Sequence, residues 1–503
     1  MGNGIYLIKM IKRNKENLIV GLLMTFLSFV FLLESPLHPW IGGDTRTDSG
    51  VFKAVAFMME RGYMPYRDSF DHKGPLIYIL NWIGNRISAY RGVWVIEFIF
   101  MTGTFFVIYK IARLKCSVGS SVLVTLCSGS LLFEYFDGGN FVEEYAMIFI
   151  AIALYSFLDY LMNQKVTKIR LLICGAGLGA TLLLRANMIS VWIVFPLFIF
   201  VKMVMEKNWD TLKYLLFWFV SGMCIVIIPI LIWLAVNRSL VPFWENYIVF
   251  NKIYISEQGG RASFTAKWEA YIYYLNRNVI IISLGAVAYM CTIKEKAINM
   301  VYLAYMLITL LFICLSGMMP PHYGIILVPM ISYPLAALFG EIEKIEFPQV
   351  AQTFSIVLSV LFLAGIIFPN WLSRISSVPR IYENRKYEYK SGLNITVSRI
   401  VSEKTDTDDA ISVYGNWDLI YVLSDRKHAT RYSYQFPIGN IVPEIMEEYM
   451  EELHEEQPKI IVVEATRYDD NISDFLNNND YQLIWSQDEA NGALIYMKTT
   501  PSI

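Results

Sequence analysis

The sequence predicts a membrane all-α protein: a polytopic bundle of about eleven transmembrane helices, a long polar loop after the first span, and a small C-terminal α/β domain. Three observations predict it. Of 503 residues, 55% are hydrophobic and only 17% charged, too little polar surface to cover a soluble globule of this size, so a bilayer must supply the remaining solvent. Apolar stretches long enough to cross roughly 30 Å of hydrocarbon recur at 18–33, 93–112, 118–134, 144–162, 170–184, 188–205, 214–235, 278–292, 298–316, 323–340 and 350–368. From about 385 onward the apolar runs shorten to strand length, at 411–414, 460–463, 482–485 and 493–497, and alternate with helical patterns such as 443–455.

The first span follows Lys9, Lys12, Arg13 and Lys15 and has no small-residue cleavage site before Glu34, which reads as a retained signal anchor. Cationic clusters then fall on alternate connections: Lys110, Arg113 and Lys115; Lys165, Lys168 and Arg170; Lys202, Lys207 and Lys213; Lys294 and Lys296; and Lys344. The positive-inside rule puts these and the N-terminus in the cytoplasm, and loop 34–92, loop 236–277 and everything after Pro369 outside. The expected organisation is a transmembrane domain over 1–384 and an extracytoplasmic α/β domain over 385–503, in a multi-pass protein of the cell membrane. Loop 34–92 holds two amphipathic helical patterns, 49–60 and 76–87, flanked by Arg61, Arg67, Arg86 and Arg91; these are expected to be interfacial helices lying along the membrane.

Composition also excludes. A net charge of -2 leaves no cationic excess for nucleic-acid phosphates. The six cysteines lie in or beside apolar segments with no Cys-x-x-Cys pair, which argues against a disulfide framework or a thiolate metal site. No Walker loop, dinucleotide fingerprint or internal repeat occurs, which argues against a nucleotide-driven pump.

The candidate chemistry lies on the first exterior loop. Residues 42–50 carry Asp44 and Asp48, the latter at a natural helix N-cap; glycine-rich turns and N-cap aspartates are also ordinary structural features. Residues 65–75 concentrate Arg67, Asp68, Asp71, His72 and Lys73 between two prolines and lead into an apolar helix, where a merely solvated loop is the plainer alternative. An acceptor hydroxyl needs a carboxylate base and a phosphate leaving group needs a fixed cation, so one Asp and one Lys suffice for group transfer from a phosphate.

The series Asp48, a helix, Gly62-Tyr-Met-Pro-Tyr-Arg-Asp68 and Phe70-Asp-His-Lys-Gly-Pro-Leu76 resembles the first exterior loop of C-type (GT-C) membrane glycosyltransferases, of the protein O-mannosyltransferase and lipid A aminoarabinose transferase type. Weaker similarity extends to Phe141-Val-Glu-Glu-Tyr-Ala146, Leu184-Arg-Ala-Asn187, His322-Tyr-Gly324 with Pro329, Tyr414-Gly-Asn-Trp417 and Tyr434-Gln-Phe-Pro437. The resemblance implies a GT-C-like bundle that takes a polyprenyl-phosphate-linked sugar from the outer leaflet. Transfer, with inversion, would go to an extracytoplasmic acceptor: a cell-envelope glycan, a teichoic acid-like polymer, a lipid or a protein. It implies Asp48 as base and Lys73 as the cation near the donor phosphate. Many relatives have an Asp-Glu pair where this chain has Asp48 and Ser49, so Asp44 and Asp71 compete for the base role. Beyond the lipid-linked donor no cofactor is implied with certainty, a divalent cation staying open. Implied partners are the bilayer, the acceptor, and the polyprenyl-phosphate glycosyltransferase and flippase that make and present the donor.

Other candidates have two readings each. Glu143 and Glu144 contact substrate or complement a helix N-terminus. Arg185 binds phosphate, with His72, or snorkels to headgroups. His322 and Tyr323 line a donor cavity or cap the next span, and no second histidine at ligand spacing makes His322 a zinc site. Trp417, Tyr432, Tyr434 and Phe436 read more simply as core than as a sugar platform. Of the rival functions, a transporter or flippase of lipid-linked sugars is expected to show interrupted spans or mid-membrane charges in related halves, whereas here the charged groups cluster at one face. A polysaccharide polymerase or ligase, which would use a polyprenyl diphosphate, is separated only by the loop resemblance.

Overall fold

Helix length and apolar content lay down most of the chain. The computed structural model describes residues 2–38, 47–88, 92–257, 263–277, 296–344, 365, 368–384, 393–487 and 492–499. Within them, seven helices are long and apolar enough to cross a bilayer: Asn14–Glu34, Val93–Ala112, Val118–Tyr135, Val142–Asn163, Trp209–Val236, Ala297–Cys314 and Pro321–Ile342. Two shorter helices, Lys168–Leu182 and Ser190–Met205, match two further expected spans. The segment 278–292 and almost all of 350–368 lie outside the described residues, so the described chain shows seven long spans rather than eleven. Trp209–Val236 leaves Phe217, Ile225 and Ile232 exposed, as a lipid-facing helix must. Pro196, Pro229 and Pro334 lie inside helices, a placement that membrane helices tolerate.

The chain divides into two compact units. The first comprises Met1–Ser35, Val95–Ile228 and Ser263–Ile381. At its centre is Val142–Asn163, which buries Tyr145, Met147, Leu154 and Leu158. Gly175 and Gly222 let two of its helices meet backbone to backbone: a Cβ at either would come within about 2 Å of a carbonyl oxygen on the other helix, Phe219 or Leu172.

The second unit comprises Pro36–Trp94, Pro229–Ala262 and Tyr382–Ile503. Its sheet has β1 (Ala410–Tyr414), β2 (Lys427–His428), β3 (Ile460–Glu464), β4 (Tyr481–Ser486) and β5 (Ala493–Lys498), in the order β2-β1-β3-β5-β4. β1 runs parallel to β2 and β3; β5 is antiparallel to β3 and β4. Four of these are the expected strands, and the two-residue β2 is too short to leave a periodic signal. Val397, Val401, Ile411, Val413, Ile420, Ile460, Val462 and Ile495 form its core.

Both loop helices form, at Thr47–Glu60 and Pro75–Ile87. The first differs from the interfacial expectation: Ser49 to Met58 are all buried, against Pro75–Ile87 and Leu419–Ser424. An interfacial helix keeps one wet face; this one is enclosed by protein on every face. Pro75–Ile87 keeps the amphipathic pattern, with Ile83, Arg86 and Ile87 exposed.

Arg426 is buried and donates to Thr405 Oγ1 and to the carbonyls of Ser402, Thr405, Ser424 and Asp425, the last turns of two helices, Leu393–Lys404 and Leu419–Ser424. A cation there meets the negative end of each helix dipole. Arg426→Ala strands several buried carbonyls at about 1–3 kcal/mol each; chemical denaturation of the full chain in detergent is expected to show that loss, with Arg426→Lys restoring at most part of it.

Candidate active site

The second unit fixes loop 62–74 from three directions. Tyr66 holds a left-handed backbone, φ 68°, which a bulky side chain adopts at a cost of about 1–3 kcal/mol unless its surroundings over-determine it. They do: Tyr66 N–H donates to the Ser69 carbonyl (2.8 Å), its hydroxyl donates to the Lys73 carbonyl (2.8 Å), and its own carbonyl accepts from Arg431 Nε (3.2 Å). Ser239 Oγ holds the Pro65 carbonyl and Asn251 Nδ2 the His72 carbonyl. Phe70 N–H donates to the Arg431 carbonyl, while Arg431 itself bonds Asn246 and Glu448. Ser69 Oγ meets His428 Nε2 at 3.0 Å, and burial lowers the His428 pKa to about 4, so this contact is a neutral strut.

Asp71 is the hub. Only 2% exposed, its carboxylate accepts from Tyr78 Oη (2.7 Å), Tyr434 Oη (3.0 Å) and the His72 N–H (2.7 Å). Burial raises its pKa, against the lowering pull of Lys73 and these donors. Lys73 Nζ lies 2.8 Å from His72 Nε2. A protonated Lys73 donates there, which assigns the His72 proton to Nδ1, facing Asp71 Oδ1 at 3.5 Å. The imidazole is stacked on Tyr254 and tilted against Phe250. Gly74 then caps Pro75–Ile87 with proline at its first position. Lys73 therefore sits at the N-terminal end of a 13-residue helix, where the dipole also favours an anion.

Asp48 lies in the first turn of Thr47–Glu60 and is half-buried. The helix thus starts one residue ahead of the expected N-cap, an ordinary uncertainty at helix ends. Asp44 lies outside the described residues. Sequence reasoning passed over Tyr434 as core and did not single out Asp418, whose charge reaches the same place: the Tyr434 phenol, pushed up by burial, also feels Asp71, Asp418 and Asp48.

In the first unit the weaker motifs meet one another. Glu143 pairs with Arg185 at 2.5 Å, and the guanidinium lies 4.0 Å over the Tyr323 ring. His322 stacks on Phe141, centroids 4.1 Å apart, with Nδ1 3.7 Å from Asp137 Oδ2. Glu144 turns inward: its Oε2 and Glu97 Oε1 both accept from the Asn140 N–H, and Ser35 Oγ donates to Glu97. Among the described residues, no group of three or more His, Cys, Asp or Glu is placed to hold a metal ion.

Two solved structures are similar along nearly the whole chain. ArnT from Cupriavidus metallidurans bound to undecaprenyl phosphate matches at 11% identity and a TM-score of 0.62, over 96% of this chain and 98% of that chain. ArnT from the same organism in the apo state matches at 11% identity and a TM-score of 0.60, over 99% and 98%. The chain has the ArnT fold. No protein-family model and no curated protein sequence matches.

Tyr78→Phe and Tyr434→Phe each remove a donor from the buried Asp71 carboxylate, at about 1–3 kcal/mol. Thermal unfolding in detergent is expected to show both losses shrinking in an Asp71→Asn background, as for groups in one network; fully additive losses contradict the hub.

Proposed function

We propose that the chain is an extracytoplasmic glycosyltransferase that moves a sugar from a polyprenyl phosphate to a cell-envelope acceptor: a glycan, a teichoic acid-like polymer, a lipid or a protein. The observation that carries this reading is a fixed cation, Lys73, at a helix N-terminus in a chain with the fold of ArnT, whose bound structure holds undecaprenyl phosphate. A lipid phosphate leaving group develops negative charge, and Lys73, steadied by His72, is placed to take it up. On the first unit, Arg185 lies over the Tyr323 ring and retains donors beyond those used on Glu143, which suits it to an anionic group.

Asp48 is the proposed base. It is half-buried and reachable, whereas Asp71 is enclosed and already accepts three hydrogen bonds. One carboxylate that deprotonates the acceptor for direct in-line attack gives inversion at the anomeric carbon, by the logic of inverting glycosidases. In this reading residues 385–503 and the first loop lie outside the cytoplasm, the N-terminus inside, and a polyprenyl-phosphate glycosyltransferase with a flippase supplies the donor.

Transfer from a radiolabelled polyprenyl-phosphate sugar in membrane vesicles tests this. At equal expression, Asp48→Asn is expected to lose about a hundredfold or more, and Lys73→Ala to raise the donor KM as well as lower kcat. Full activity in Asp48→Asn rules out Asp48 as base. No transfer by the wild type from any such donor favours a lipid-linked sugar transporter.

A further inference from the structure

The sheet of the second unit has an edge that the roles above leave unused. β1 lies between β2 and β3 and runs parallel to both. The chain leaves β1 through Leu419–Ser424 toward β2 on one side, and leaves β3 toward β4 and β5 on the other. The connections from the carboxyl ends of these two neighbouring strands therefore diverge. Helices cover both faces: Val397, Val401 and Ile420 pack with Ile411 and Val413, while Tyr449 meets Ser412 (2.8 Å) on the opposite face. In open α/β sheets such a switch point leaves a crevice outside the carboxyl ends of the strands, and ligands bind there.

The residues bordering this crevice follow the two strands. After β1 come Gly415, Asn416 and Trp417, the last two half-buried; β3 ends on Glu464, and Thr466 and Arg467 beyond it are exposed. Gly415 makes room there, because a Cβ on it would come 2.8 Å from Glu464 Cβ and 3.0 Å from its Oε2. Glu464 Oε1 accepts from Thr466 Oγ1 (3.2 Å), but Oε2 is enclosed and has no hydrogen-bond partner among the described residues. An enclosed polar atom without a partner costs free energy, which a ligand that supplies a donor recovers. A carboxylate oxygen accepts hydrogen bonds, so the group that satisfies it carries hydroxyls, and a phosphate is repelled. The turn after β1, Gly-Asn-Trp-Asp, also lacks the glycine-rich phosphate loop of a nucleotide site.

The same edge carries the candidate catalytic residues. The first turn of Thr47–Glu60, with Asp48, packs on it: a Cβ at Gly50 would lie 3.6 Å from Asp418 Cβ and 3.5 Å from Leu419 N, directly after the β1 turn. The buried Gln435 accepts from the Gly415 N–H (3.2 Å) and donates to the Val413 carbonyl (3.1 Å). Its neighbour Tyr434 reaches Asp71 (3.0 Å), in the loop that ends at Lys73.

We propose that this crevice is the acceptor subsite: the carboxyl ends of β1 and β3 bind the hydroxyl-rich end of a glycan, with Glu464 Oε2 accepting from a sugar hydroxyl beside the ring of Trp417. The proposal deepens the transferase reading and rests on it; among the acceptors named there it selects a carbohydrate.

Two arms on the full-length protein keep failure of this proposal apart from failure of the enzymatic reading. The first needs no activity. Saturation-transfer NMR, in a detergent without sugar headgroups, takes linear neutral hexose and N-acetylhexosamine oligosaccharides as probes. Wild type is expected to transfer saturation to at least one of them. Glu464→Gln, and Gly415→Ala, which crowds Glu464, are each expected to weaken that binding by about tenfold, the worth of one hydrogen bond to a charged group. Glu464→Gln is close to isosteric, so the arm does not depend on Gly415→Ala folding. Binding unchanged in Glu464→Gln, or no binding of any probe by the wild type, overturns the proposal.

The second arm is transfer in the vesicle assay. Glu464→Gln is expected to lower transfer to the membrane acceptors by about tenfold with the donor KM unchanged, whereas Lys73→Ala raises that KM. A raised donor KM in Glu464→Gln puts the crevice on the donor side, and full transfer leaves it without a role; either overturns the proposal. If the wild type transfers no sugar, the enzymatic reading fails, and the binding arm still decides whether the crevice takes carbohydrate.

Discussion

The buried carboxylate of Asp71 is the constraint on which the second unit depends. It gathers Tyr78 from the helix that follows the loop and Tyr434 from more than three hundred residues further along the chain. A carboxyl group this enclosed is tolerable only while its donors are in place, so the three groups hold or fail together. One of these donors also steadies Lys73: the Tyr78 hydroxyl reaches the Lys73 carbonyl, as the Tyr66 hydroxyl does. The position of the cation is thus set by the backbone under it as well as by the His72 ring beside it.

Much of the architecture is legible in the sequence because it follows from local rules. Apolar length locates the spans, and the period of the apolar residues locates Thr47–Glu60, Pro75–Ile87 and four of the five strands. The glycine and proline at 74 and 75 mark the helix start that the structure shows. The loop run Asp71, His72 and Lys73 stands out as a polar island between prolines, and the structure brings these residues into contact.

What stays hidden depends on the tertiary surroundings. The enclosure of Thr47–Glu60 comes from a partner helix at Leu419–Ser424, which no local pattern announces. Tyr434 is an aromatic residue with a polar tip, and that dual character is the one signal that separates it from ordinary core. The left-handed turn at Tyr66 is equally invisible, because tyrosine has no preference for it and the surrounding hydrogen bonds impose it.

Hydrogen exchange on Asp71→Asn tests the hub most directly. If Asp71 ties the loop to the C-terminal segment, amides across 63–74 and 431–435 lose protection together, while β1 and β3 keep theirs. A change confined to residues beside position 71, with 431–435 as protected as in the wild type, contradicts the account.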